Sequence, residues 1–197
     1  MRLAGVLTML GAVAAAQTKP AGPPNEKAPE TFKVRFATTK GDFVVVTHRS
    51  WSPFGADRFY NLVKSGFYDG SVIYRVIPGF AAQFGIHANP AVQAKWEKTP
   101  IKDDLVKQTN SLGHVSFAAS GPDSRTTQVF INLKDNKQLD RQGFSPFGDV
   151  VQGIGVAGVV YSGYSDRPDQ AKVLKLGAAY LKANFPRLDS IKKATIE

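Results

Sequence analysis

The sequence predicts a mainly β domain, a closed eight-stranded antiparallel β-barrel capped by two helices, with an extra helix before the last strand. Short runs rich in β-branched and aromatic residues recur along the chain, with Gly, Pro, Asp and Asn turn signals between them. Many of the apolar residues on those runs are bulky, which suits a barrel filled by its own side chains and argues against the hollow interior of a lipocalin-like carrier. The last run, Ile191 to Ile196, is free to pair with the first.

At 197 residues the chain suits one domain with a real core, and 43% hydrophobic residues is ordinary for a globular protein. Its beginning differs. Arg2 is followed by an apolar stretch, Leu3 to Ala16, that ends in small residues and gives way to Gln17. This pattern predicts a secretory signal spanning 1–16, too short to anchor stably in a bilayer and without a cysteine to carry a lipid, so an exported, periplasmic or secreted product cut after Ala16 is expected. Residues 17–30 carry four prolines and little to bury, and read as an extended linker. The domain proper is expected over 31–197.

In the first strands Phe32, Val34 and Phe36 alternate with Lys33, Arg35 and Ala37, and Lys40-Gly41-Asp42 turns the chain into Phe43 to Thr47. Ser52 is a candidate N-cap with Pro53 at the first helical position, and Ala56, Phe59, Tyr60 and Val63 form an apolar stripe that ends at Gly66. A strand from Ser71 to Ile77 follows. Pro78-Gly79 fits a type II turn, because proline fixes φ and glycine supplies φ > 0, and the chain returns through Phe80 to Gln83. The 86–113 stretch lacks sustained periodicity and reads as a long ordered loop. Strands are expected at Gly113 to Ala118, Gln128 to Asn132 and Phe147 to Val151, then a weak helical stretch over Ile154 to Tyr161 and a turn-rich loop to Pro168. Val173, Leu176, Tyr180 and Leu181 mark an amphipathic helix ending by Pro186. That helix has no assigned role beyond packing.

The net charge of +9 is spread along the chain rather than gathered on one face or tail, so it favours a general attraction to anionic surfaces over nucleic-acid binding. Without cysteine there is no disulfide, thiolate nucleophile or cysteine-based zinc site. His48, His87 and His114 are isolated, and no nucleophile-elbow, zincin or phosphate-loop motif occurs. Interest therefore falls on the hairpin Tyr74 to Gln83. Alternation puts Arg75 on one face with Ile73 and Ile77, and antiparallel pairing would bring Phe80 and Gln83 within reach of its guanidinium. By itself, an arginine in a strand is more often a solvated surface residue whose stem covers apolar area.

A second unusual segment runs from Phe117-Ala118-Ala119 through Gly121-Pro122 to Gln128-Val129-Phe130-Ile131-Asn132, followed by Leu139-Asp140 and Phe147-Gly148. Taken with Tyr74-Arg75-Val76-Ile77-Pro78-Gly79-Phe80-Ala81-Ala82-Gln83 and the preceding Lys64 to Gly70, it resembles the cyclophilin family of peptidyl-prolyl isomerases over nearly the whole domain, about Phe32 to Ile196. The resemblance implies a cyclophilin-like barrel with its active groove on the outside. It implies Arg75 and Gln83 as catalytic residues, with Gln83 hydrogen-bonding the substrate backbone. Phe80, Phe130 and Leu139 would seat the proline ring, and Ala81, Ala118, Ala119, Gln128 and Phe144 would complete the substrate-binding surface. Two positions depart from many members: Ala81, where a bulky apolar residue is common, and Gln138, where an aromatic is common. The second bears on cyclosporin, the family's cyclic-peptide inhibitor, whose binding is expected to be weak.

Rotation about an X-Pro bond faces a barrier of about 18–20 kcal/mol because the nitrogen lone pair is delocalised into the carbonyl. As the bond twists, that lone pair localises and becomes a hydrogen-bond acceptor. A fixed guanidinium donor then binds the twisted state better than either planar isomer, and arginine suits the task because it does not deprotonate. No cofactor or metal is needed. The expected partners are proline-containing segments of unfolded or folding proteins, acted on by a monomer, with neither nucleic acid nor stable membrane insertion. The alternative is a non-catalytic module that grips such segments as a chaperone on the same barrel, although binding alone would not need the arginine.

Overall fold

The computed structural model describes residues 22–197; the expected leader, 1–16, lies outside them. The described residues contain eight strands: β1 (Thr31–Thr38), β2 (Gly41–His48), β3 (Arg75–Ile77), β4 (Ala81–Phe84), β5 (His114–Phe117), β6 (Val129–Asn132), β7 (Pro146–Gln152) and β8 (Ile191–Ile196). They form one antiparallel sheet in the order β3-β4-β6-β5-β7-β2-β1-β8. The sheet curls around Phe36, Phe43, Phe59, Tyr68, Phe84, Phe117 and Phe147, all fully buried. Phe36 and Phe43 stack at 4.8 Å across the first hairpin. The interior is filled by side chains, as the bulky strand residues predict.

The expected closed barrel is not formed. The ends of the curled sheet, β3 and β8, share no ladder, and the strand expected over Ser71 to Ile77 is regular only from Arg75. The outer edge of β3 is already engaged: Val76 N–H donates to the Ser165 carbonyl at 3.3 Å, so the 161–168 loop occupies the position a closing strand would need. β8 meets the chain just before β3 instead, through an isolated Val72–Ser190 bridge flanked by Ile73 N–H to Asp189 O (2.9 Å) and Ile191 N–H to Ser71 O (2.8 Å).

Helix α1 (Pro53–Lys64) covers one mouth of the curl with Ala56, Phe59, Leu62 and Val63. Ser52 stands at its N-cap but does not cap it. The Asp104 carboxylate does so from a distance, accepting from Phe54 N (3.1 Å), Gly55 N (2.9 Å) and the Ser52 hydroxyl (2.5 Å). Asp104 is also paired with the buried Arg125 guanidinium at 3.1 Å. The described part of the proline-rich stretch has no helix or strand, yet it is tied to α1. Asn61 Oδ1 accepts from Glu26 N at 3.0 Å, and Asp57 Oδ1 accepts from Ala28 N at 2.9 Å.

Where one long loop is expected, a helix forms: α2 (Pro90–Glu97), capped by Asn89 Oδ1 accepting from Ala91 N at 2.9 Å. The short α3 (Ile154–Val159) follows β7. The C-terminal helix is divided into α4 (Gln170–Leu176) and α5 (Ala178–Asn184). Gly177 joins them with φ 64°, and a Cβ there would collide with the Ala88 carbonyl, to which Ala178 N–H donates at 3.1 Å. Val173 and Leu181 from these helices pack with Tyr74 and Ile86 in a second, smaller core.

Candidate active site

Arg75, Gln83 and Phe130 lie in one row across three adjacent strands, because Arg75 pairs with Gln83 in the β3–β4 register and Gln83 with Phe130 in the β4–β6 register. Directly paired residues project from the same face, so guanidinium, amide and ring emerge together on the outside of the curl. The turn before β4 has the expected form, with Gly79 at φ 64° and Phe80 N–H donating to the Ile77 carbonyl at 3.0 Å.

Arg75 is half-buried, and its Nη1 donates to Gln83 Oε1 at 3.2 Å. The amide nitrogen of Gln83 donates to the Tyr74 hydroxyl at 2.6 Å and to Gln128 Oε1 at 3.0 Å, while the Tyr74 hydroxyl donates to Gln128 Oε1. Burial pushes the Tyr74 phenol well above its ordinary pKa, which keeps it a neutral donor and acceptor at any physiological pH. The chain Arg75–Gln83–Tyr74–Gln128 fixes the rotamer of each member and leaves the remaining guanidinium N–H groups to the groove.

Beside this polar row is an apolar seat. Ala81, Phe130 and Leu139 are buried together, with Phe80, Ala118 and Phe144 packed against them. Phe130 and Phe144 meet edge to face at 5.6 Å. Leu139 belongs to a 3₁₀ turn (Lys137–Gln142) that closes on Gly143, in the left-handed region at φ 85°. Three fully buried asparagines hold the seat from below. Asn136 Nδ2 donates to the Phe80 carbonyl (2.9 Å) and to Asn132 Oδ1 (2.8 Å). Asn110 Nδ2 donates to the Phe144 carbonyl (2.8 Å), and Asn132 Nδ2 to Asn110 Oδ1 (3.2 Å).

A groove of about 450 Å³ runs over both features. The ten residues singled out from the sequence, Arg75, Phe80, Ala81, Gln83, Ala118, Ala119, Gln128, Phe130, Leu139 and Phe144, all line it. So do residues that sequence reasoning missed: Glu97 at the end of α2, Ser120, Ser124 and Thr126 in the β5–β6 loop, and Gln170 and Leu174 on α4. Tyr74 was also missed as a site residue, because alternation puts it on the face opposite Arg75; its hydroxyl nonetheless reaches Gln83. Gln138, in the 3₁₀ turn, is exposed and does not line the groove.

Comparison with known proteins agrees with this geometry. The family model "Cyclophilin type peptidyl-prolyl cis-trans isomerase/CLD" matches residues 33–176. The chain is 34% identical over 161 residues to peptidyl-prolyl cis-trans isomerase A of Dickeya dadantii, covering 79% of this chain and 80% of that protein. It is 30% identical to peptidyl-prolyl cis-trans isomerase B of Escherichia coli, covering 80% of this chain and 94% of that one. In fold it is similar to a Cryptosporidium parvum cyclophilin (TM-score 0.62, 22% identity, 85% of this chain and 98% of that chain). It is likewise similar to cyclophilin AquaCyp293 from Hirschia baltica (TM-score 0.64, 18% identity, 85% of this chain and 77% of that chain). An outward groove with an arginine beside an aromatic seat, on a fold and a sequence shared with these proteins, places the chain in the family of cyclophilin-type peptidyl-prolyl cis-trans isomerases.

Proposed function

We propose that this family member isomerises X-Pro bonds in exported proteins as they fold, with the ten groove residues in the roles their chemistry suggests. The observation that carries this reading is the half-buried Arg75 guanidinium, held by Gln83 beside an apolar seat of Phe80, Ala81, Phe130, Leu139 and Phe144. The proline ring packs on Phe80, Phe130, Leu139 and Phe144, and the burial of its methylenes, at about 0.8 kcal/mol each, fixes the ring. Ala81, Ala118 and Ala119 are small and leave room for the peptide backbone, which Gln83 and Gln128 steady through their amides. With ring and backbone held, the bond is free to twist. The guanidinium donates to the prolyl nitrogen as its lone pair localises, an interaction absent from both planar isomers. No bond is made or broken and no group is transferred, so the residues of the groove suffice for the reaction.

Export rests on the sequence. We propose that the apolar stretch 3–16 directs the chain out of the cytoplasm and that cleavage follows Ala16, releasing a protein that acts as a monomer. Among the described residues no helix is long and apolar enough to cross a membrane. Turnover of a proline peptide by the purified protein tests the assignment: cis–trans exchange accelerated by the parent and largely lost in Arg75→Ala supports it, whereas equal rates in the two proteins favour a module that only binds. Mass spectrometry of the N-terminus of protein recovered from the cell envelope tests export, and an intact Met1 there refutes the cleavage.

A further inference from the structure

Among the described residues, two charged side chains line the groove, Arg75 and Glu97. Arg75 belongs to the polar row, while Glu97 ends α2 and faces the groove together with Gln170 and Leu174 of α4. One oxygen of the Glu97 carboxylate carries its internal hydrogen bonds. Oε1 accepts from Gln93 Nε2 at 2.5 Å and from Thr126 Oγ1 at 3.0 Å. Oε2 has no such partner and no lysine or arginine nitrogen within 4.0 Å among the described residues. The nearby Arg58 guanidinium is directed elsewhere, to the Thr99 and Thr126 carbonyls. The carboxylate is therefore oriented on one side and free on the other, in a protein whose overall charge is +9.

We propose that Glu97 and α4 form a recognition site for a basic side chain, so that the preferred substrates carry a lysine or arginine within a few residues of the proline. The half-buried Leu174 offers an apolar surface for the aliphatic stem of such a side chain. The exposed Gln170 amide offers a further acceptor on the lining of the same groove, and Arg75 repels a cation from the other part of the groove. This inference rests on the isomerase reading and names the substrate class of the same groove. It also gives α4 and α5 a function. α4 is held in place by Val173 against Tyr74 and by the close approach of Gly177 to Ala88, which ties the recognition wall to the hairpin that carries Arg75.

The test uses the purified protein and peptides with one proline, in which lysine, norleucine or glutamate is placed in turn at each position from three before the proline to two after it. At one position kcat/KM is expected to be roughly fivefold higher for lysine than for glutamate, the size of a partly exposed ion pair, and the ratio should fall as salt is raised. Glu97→Gln keeps an acceptor for Gln93 and Thr126 and should bring the ratio close to one. Glu97→Lys should invert it. Leu174→Ala should lower the lysine and norleucine peptides together at that position. Turnover of the norleucine peptide with no lysine preference at any position, or a preference undiminished in Glu97→Gln, overturns the inference while leaving the isomerase reading intact. Failure to turn over any peptide overturns the isomerase reading and this inference with it.

Discussion

The groove has two walls of different construction. The seat is built on β4, β6 and the 3₁₀ turn, and three fully buried asparagines, one on β6 and two in the loops beside it, bind the Phe80 and Phe144 carbonyls from below. The opposite wall is assembled from α2, the β5–β6 loop and α4, which are far apart in sequence and are joined by buried charge and close contact. Asp104 and Arg125 fasten the loop to α1, and Gly177 lets the α4–α5 joint approach Ala88. The first wall offers an apolar surface of fixed shape, which suits a proline ring common to every substrate. The second offers a carboxylate and a mixed surface, which suits whatever flanks the proline. A structure divided in this way can vary its selectivity without disturbing the ring site.

The largest effect is expected at the anchor of the second wall. Asp104→Ala takes the buried carboxylate from the Arg125 guanidinium, leaving it the half-exposed Asp103 at 3.3 Å and the Lys102 carbonyl, and leaves three donors at α1 unsatisfied, which should lower stability by about 3 kcal/mol; chemical denaturation of the two proteins measures it, and a loss below about 1 kcal/mol would show that the loop is held by something else. The first wall should respond less in stability and more in binding. Asn136→Ala removes the donor to the Phe80 and Asn132 oxygens and should cost about 1–3 kcal/mol, with KM for a proline peptide rising as Phe80 loosens. An unchanged KM would separate the asparagine cluster from the seat.

Smaller effects lie at the rims. Gln138→Trp should strengthen cyclosporin binding, because an indole adds apolar area and an N–H donor beside Leu139; isothermal titration of both forms decides, and no gain would mean that this turn lies outside the inhibitor's reach. His87, packed on Phe67 at 5.2 Å where α2 begins, has its pKa lowered chiefly by burial. The unfolded chain therefore takes up a proton that the folded one resists. The contribution of neutral His87 is complete above the unfolded value of about 6.5 and is lost as pH falls through the lower folded value. Between pH 7 and pH 5 the melting temperature should fall more for the parent than for His87→Gln, and parallel curves would contradict this.

The same division explains what could be read from the sequence. Arg75, Phe80 and Gln83 lie on a Pro-Gly hairpin that strand alternation brings together, but their assignment to a site, and that of Phe130, came from the family resemblance of the motifs and not from periodicity. Helix α2 could not, because only Gln93 and Trp96 of its eight residues are buried and an apolar stripe never forms; the Asn89-Pro90 start was the one signal present. Glu97 and Leu174 enter the groove through tertiary contact between helices that sequence patterns do not relate. Barrel closure failed for a similar reason, since the Ser165 carbonyl that occupies the edge of β3 lies in a loop with no strand character. The terminal strand was legible to the residue, Ile191–Ile196, although its burial does not alternate, because its pairing with β1 shifts register between Ala37 and Thr38.

The proposed catalysis depends most on Arg75 acting in the twisted state rather than in substrate binding. Exchange NMR on a proline peptide titrated with the parent and with Arg75→Ala yields the on-enzyme interconversion rate and the dissociation constant in one experiment. Removal of a preorganised donor is expected to slow interconversion on the order of 10²–10³-fold while the dissociation constant changes only a few-fold. Affinity that falls in step with the rate, or interconversion that continues at the parent rate, would contradict the role assigned to the guanidinium.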